Sequence, residues 1–339
     1  MIKYLGSKRL LLPAIIEVVR SLGPDVRTVL DPFSGTARVG HALKREGYRV
    51  VSSDHNAYAE ALARTYVEAD RQDLLEDAQR LVTEMSTAPA RAGWFTATYA
   101  EASRYFKPEN AARIEGMREW IRARSLDPVL ESVLLVSLME AADRVDSTVG
   151  VQMAYLKTWA RRAHNAIEPR VPDLAPRPTA GRCEAHRLDA LVAAQRFEVD
   201  VAYLDPPYNQ HSYLGNYHVW ETLVRWDEPA VFGVAKKRVE VQQRKSDFNF
   251  KSRCREALGA LLDAVRARWI VLSFSDEGHV AREELEAMLR HRGEVTTLAI
   301  PHPRYVGAKI GIHNPAGQKV GTVGKLANVE HLFVVGPRA

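Results

Sequence analysis

The sequence predicts an α/β fold: an open, doubly wound sheet with helices on both faces, interrupted by a long helical insertion. Three observations lead there. Two apolar runs near the start, Val26 to Leu30 and Tyr48 to Ser53, each end on an aspartate (Asp31 and Asp54) and enclose one helical segment. Strand character then disappears for more than a hundred residues. It returns at Val199 to Asp205, Trp269 to Phe274 and His331 to Val335.

Arg9 to Leu22 carries apolar residues at helical spacing, and Gly23-Pro24 stops it. Val26 to Leu30 reads as a strand, "FSGT" as a loop, and Ala37 to Arg45 as a helix closed by Gly47. "YRVVSSD" reads as the next strand. Ala57 to about Arg124 is rich in Ala, Glu, Arg and Leu and reads as several helices, followed by an apolar helix from Leu126 to Ala142. Ile167 to Arg182 holds Pro169, Pro172, Pro176 and Pro178, a composition suited to an extended linker. The expected organisation is a sheet domain made of 1–60 and 183–339, split by a mostly helical region with its Pro-rich linker, 61–182.

The bulk properties exclude several classes. With 339 residues, 46% hydrophobic and 26% charged, the chain has the composition of a soluble globular protein. No apolar run approaches the roughly 18 residues that span a membrane, and Pro13 speaks against a signal peptide. The only cysteines, Cys183 and Cys254, make neither a disulfide framework nor a four-ligand zinc site, so the expected compartment is the cytoplasm. The net charge is +5. Lys236, Lys237, Arg238, Arg244, Lys245, Lys251, Arg253 and Arg255 crowd into one segment, which reads either as a solvated face or as a phosphate-tracking surface.

Two loops carry chemistry. In an open α/β sheet a ligand sits beyond the carboxyl ends of the strands. "DPFSGTARVG" lies there, but it lacks the three glycines with which a dinucleotide's pyrophosphate is met, so a ligand without phosphates fits better. Asp54 ends the next strand, where a carboxylate accepts from both hydroxyls of a ribose; helix capping explains Asp31 and Asp54 equally well. The second loop is "VAYLDPPYNQ". Proline keeps its carbonyl and has no N–H, so Asp205-Pro206-Pro207 offers acceptors and almost no donors. An exocyclic amino group, with two hydrogens on one nitrogen, is the matching substrate. Asp205 and the Pro206 carbonyl draw both hydrogens from the ring plane, freeing the lone pair, and Tyr208 stacks on the base. A base in a duplex must be extruded to reach such a site.

The sequence resembles the D12-class, Dam-like adenine-N6 DNA methyltransferases that use S-adenosylmethionine. "KYLGSK", "DPFSGTARVG", "SSDHN" and "LDPPY" carry the resemblance, in the order of the family's α arrangement. It implies a Rossmann-like methyltransferase sheet, with the helical insertion serving target recognition. It implies cofactor contacts from Tyr4, Lys8, Asp31, Phe33, Gly35, Asp54 and Asp189, and a catalytic loop of Asp205, Pro206, Pro207 and Tyr208. It needs no metal. Two departures are small: the family usually has glycine where Ala37 stands, and often where Ser7 stands. "YNQHSYLGNYHVWETL" resembles a restriction–modification branch, which assigns Tyr213, Asn216 and Tyr217 to the extruded base or the gap it leaves. Arg244, Lys245 and Lys251 in "QQRKSDFNFKSR" suit a DNA backbone clamp, and the glycine-rich loop His302 to Lys325 also reads as a DNA contact. Double-stranded DNA is the expected partner, with a cognate restriction endonuclease beside it. Rival readings are cytosine-N4 or RNA-adenine methylation, a non-catalytic nucleic-acid-binding protein on the same scaffold, and, more distantly, a nicotinamide dehydrogenase.

Overall fold

The computed structural model describes residues 1–210, 212–303, 312–313, 319–321 and 327–337. Most of the loop His302 to Lys325 therefore lies outside the described residues. The central sheet has seven strands, numbered here in chain order: β1 (Thr28–Asp31), β2 (Arg49–Ser53), β3 (Glu184–His186), β4 (Glu198–Leu204), β5 (Arg266–Ser275), β6 (Glu294–Pro303) and β7 (Ala327–Gly336). Their order across the sheet is β3-β2-β1-β4-β5-β7-β6. Strands β1 to β5 run parallel, and β7 is antiparallel to both of its neighbours.

The strands read as continuous apolar runs because both faces are covered. Along β4, Val201 and Tyr203 enter one core layer while Ala202 and Leu204 enter the other. Val271 against Ile270 and Leu272 on β5, and Leu332 against Phe333 and Val335 on β7, alternate in the same way. Helix Leu12–Ser21 packs on the first face through Ile15, Val18 and Val19, and helix Arg38–Arg45 through Val39 and Leu43. On the second face lie helices Ala190–Arg196, Cys254–Ala264 and Arg282–Arg290, the last through Leu285 and Leu289.

The region 61–182 holds helices at Arg71–Ser86, Pro108–Arg122 and Pro128–Val145. It has no core of its own: Leu81, Met85, Ile114, Val133 and Leu134 belong to the same apolar cluster as Val29 and Val50 of the sheet. The Pro-rich segment has no helix or strand, and it is pinned rather than loose. The Ala175 carbonyl accepts from the Arg71 N–H at 3.0 Å, and the Arg170 carbonyl from the Ser137 hydroxyl at 2.8 Å. Arg177 pairs with Asp70 at 2.7 Å, and the other oxygen of that carboxylate meets Lys44 at 2.9 Å.

Candidate active site

Strands β1, β2 and β4 point the same way, so the residues that end them gather at one edge of the sheet. Asp31, Asp54 and Asp205 all line one open cleft of about 950 Å³ there. It sits where the chain passes from β1 to opposite sides of the sheet, the place that an open α/β sheet reserves for ligands.

The loop after β1 is shaped for close approach. Gly35 has φ +50°, and a Cβ there would lie 3.2 Å from the Tyr4 hydroxyl. Ala37 takes the left-handed conformation that the usual glycine adopts freely, with φ +57°, so this loop keeps its shape at the expense of backbone strain. The Gly35 N–H donates to Asp54 Oδ2 at 3.1 Å, while Asp54 Oδ1 accepts from the Asn56 backbone N–H at 2.9 Å. Asp54 is thus tied to both loops with acceptor capacity left towards the cleft. Asp31 is buried, and its Oδ1 has no hydrogen-bond partner. Burial, with Asp205 and Asp54 nearby, pushes its carboxyl up to about 8, although the Phe33 N–H opposes the shift. Asp54, Asp189 and Asp205 on the cleft wall, with the Asp31 carboxyl beside them, suit a phosphate-free ligand carrying a positive charge and a diol.

The N-terminal motif reaches the same cleft from the other side. Tyr4 is the middle ring of a three-tyrosine stack, 5.2 Å from Tyr213 and 4.6 Å from Tyr217. Lys8 is buried, and its Nζ lies 3.0 Å from Asp205 Oδ1 and 2.5 Å from Glu330 Oε1. Burial disfavours the ammonium, but Asp205 and Glu330 outweigh it and hold the Lys8 pKa well above its ordinary value. For Asp205, burial raises the carboxyl to about 6; Lys8 pulls the other way and Glu330 adds to the rise.

The catalytic-loop expectations divide. Asp205 and Pro207 line the cleft, whereas Pro206 is buried. The Tyr208 ring packs against Phe274 at 5.7 Å and lies under Lys8 Nζ at 5.7 Å, outside the cleft lining. Tyr4, Lys8, Phe33, Gly35 and Asp189 all reach the cleft. Asp189 also caps helix Ala190–Arg196 by accepting from the Leu191 N–H.

The expectations for DNA-facing residues need more correction. Tyr213 lines the cleft. Asn216 and Tyr217 do not: both are buried, and the Tyr217 hydroxyl accepts from the Leu5 N–H at 2.6 Å. The basic run is not one surface. Arg238 is buried against Asp227 and Glu240, and Arg255 pairs with Glu284. Arg244 turns inward to the cleft and donates to the His55 carbonyl at 2.9 Å. Lys245 and Lys251 are exposed. Phe248 also faces inward, meeting Phe33 edge-on at 5.3 Å.

Glu330 is the residue that the sequence reading missed. Its signal was present, an acid beside an apolar strand core in "NVEHLFVV", and a buried acid needs a partner.

This arrangement places a glycine loop and the acids that end β1, β2 and β4 on one edge of a doubly wound sheet. The profile of the D12 class N6 adenine-specific DNA methyltransferases matches residues 4–288, and the chain belongs to that family. It is 28% identical over 323 residues to the type II methyltransferase M.FokI of Planomicrobium okeanokoites, an alignment covering 89% of this chain and 49% of that protein. Similarity to the modification methylase StsI of Streptococcus sanguinis is 27% over 321 residues, 89% of this chain and 48% of that one. The chain thus spans about half the length of these two relatives. With the type II methyltransferase M.NlaIII of Neisseria lactamica it shares 27% identity over 319 residues, covering 90% of this chain and 93% of that protein.

Proposed function

We propose that the chain methylates N6 of adenine within a specific short sequence of double-stranded DNA, with S-adenosyl-L-methionine as methyl donor, as the modification enzyme of a restriction–modification system. The observation that carries this reading is Asp205: a carboxylate at the end of β4, salt-bridged to a buried lysine and facing the same cleft as Asp31, Gly35 and Asp54. Family membership and the modification methylases among its relatives support the chemistry and the setting.

The residues of the cleft support S-adenosylmethionine as the cofactor, with the following roles proposed for them. Asp54 takes the ribose hydroxyls, Asp189 and Phe33 the adenine end, and the unpartnered Asp31 oxygen faces its cationic part. The bound cofactor supplies a methyl group already activated by its positive sulfur, so the protein's own work is positioning and electrostatics. Asp205 Oδ and the Pro206 carbonyl accept the two amino hydrogens of the extruded adenine. The nitrogen lone pair leaves the ring system, and the positive charge that grows on nitrogen is met by the Asp205 carboxylate. The surplus proton on nitrogen then leaves to water. The helical region 61–182 serves target recognition, and exposed Lys245 and Lys251 meet the DNA backbone. A restriction endonuclease of the same target is the expected companion.

The test is long-read sequencing of plasmid DNA from a methylation-deficient host expressing the wild type or Asp205→Ala. N6-methyladenine in one short motif, present with the wild type and absent with the variant, is the expected result. Modification at wild-type level by Asp205→Ala would overturn the catalytic assignment. A soluble wild type that leaves DNA unmodified would overturn the substrate.

A further inference from the structure

Lys8, Asp205 and Glu330 form a buried group of one cation and two acids. A lysine paired with Asp205 alone would be neutral, and a neutral pair offers little to a nitrogen that is becoming positive. Two buried acids without the lysine would repel until one took a proton. One ammonium shared by two carboxylates keeps both ionised and leaves the group with a net charge of about −1.

The geometry enforces the sharing. Glu330 sits on β7, in register with Ser275 of β5 and Ile300 of β6. Its Oε1 accepts from the buried Ser273 hydroxyl at 2.7 Å as well as from Lys8, which fixes the carboxylate away from the cleft lining. Lys8 reaches both acids from its short helical turn, Lys8–Leu10, at the start of the chain.

We infer that Glu330 is a positioning residue for methyl transfer, sharing Lys8 so that Asp205 is only partly neutralised as it faces the target amino group. The inference rests on the function proposed above. Other titratable groups facing Asp205 are Asp31 and the phenols of Tyr203, Tyr208 and Tyr213, whose pKa values burial pushes up, so that they stay neutral. Glu330 is the acidic neighbour that raises the Asp205 carboxyl, while Lys8 lowers it.

Glu330→Gln keeps the shape and removes one charge. On duplex DNA carrying the target adenine, its plateau single-turnover rate should fall roughly 10- to 100-fold. The acid limb of its pH profile should move to lower pH, because Asp205 loses a repelling neighbour. Cofactor affinity by calorimetry, and base extrusion read from 2-aminopurine fluorescence, should stay within about twofold of wild type. A residue that merely held the fold would disturb these readouts together and would not shift the limb downward. Ser273→Ala, which loosens Glu330 without removing its charge, should give a smaller rate loss. A Glu330→Gln plateau rate within about twofold of wild type overturns the inference. Titration of ¹³C-labelled aspartate carboxylates, with Asp205→Ala to assign the signal, needs no DNA. An Asp205 midpoint unmoved by Glu330→Gln overturns the inference even if the wild type methylates nothing, and a lowered midpoint supports it. Should Glu330→Gln fail to fold, the same titration of Ser273→Ala decides by whether the Asp205 midpoint moves.

Discussion

Among the described residues two lysines are buried against carboxylates, and they are built differently. Lys44 meets Asp70 at 2.9 Å and donates to the carbonyls of Val67 and Ala69 at 2.8 and 2.7 Å, while Arg177 takes the other Asp70 oxygen. Two cations serve Asp70, Arg177 reaching the exposed Asp73 as well, and although burial raises the Asp70 carboxyl, Arg177 and Lys44 outweigh it and hold it below its ordinary value. Lys8 reverses the ratio, with two acids around one cation and Asp205 pushed up to about 6. The first group is saturated and ties the Pro-rich segment to helices Arg38–Arg45 and Arg71–Ser86. The second keeps acceptor capacity at a cleft. A buried ion pair is thus informative by its stoichiometry: an excess of cation clamps, an excess of acid waits for a cationic guest.

The contrast is broken most directly by removing each lysine. Lys44→Met leaves Asp70 with a single partner and should cost about 3–5 kcal/mol of stability in denaturant unfolding. Lys8→Met should lower the rate of methyl transfer on the order of 100-fold with a smaller loss of stability. Reversed outcomes would refute the division between clamp and site. The pH dependence sharpens it. Methyl transfer needs Asp205 ionised, so the single-turnover rate should fall as pH drops through about 6.

Asp31 gives a subtler effect. Its folded pKa of about 8 is raised above the unfolded value, so its contribution to stability is fully present below the ordinary carboxylate pKa and is lost as pH rises through about 8. Asp31→Asn should therefore stabilise the ligand-free protein at pH 9, on the order of 2 kcal/mol, with little effect at pH 4, while weakening cofactor binding. Equal melting temperatures of the two proteins at pH 9 would show that Asp31 carries no buried charge. The smallest effect is expected at Ala37, where Ala37→Gly trades relief of a left-handed alanine against a lost buried methyl. A gain of about 0.5 kcal/mol should appear in thermal unfolding.

What the sequence made legible follows from which interactions are local. Asp31, Asp54 and Asp205 each end an apolar run, and parallel strands bring run ends to one edge, so three cleft acids could be read without coordinates. Asp189 was readable twice, as cap and as cleft residue. Glu330 was not, because its partner Lys8 lies 322 residues away and no local pattern joins them. Asn216 and Tyr217 were assigned from a resemblance and from residue type, and neither says which side of a short helix meets the core. The basic run failed similarly. Its acidic partners, Asp227 and Glu240 for Arg238 and the distant Glu284 for Arg255, turn a block of charge into separate ion pairs. Strands β3 and β6 escaped because one is three residues long and the other has a half-exposed, polar-rich sequence.

The position of β7 has a consequence in time. Synthesis delivers β5 and β6 before β7, yet β7 lies between them in the finished sheet. The last strand therefore cannot simply dock on an open rim; its neighbours must wait apart, or part to admit it. Since β7 brings Glu330, a nascent chain already holding Lys8 and Asp205 still lacks the second acid. An early-made lysine and a much later strand meet in one event, and the acid-rich pocket comes into being only once β7 has taken its place between β5 and β6.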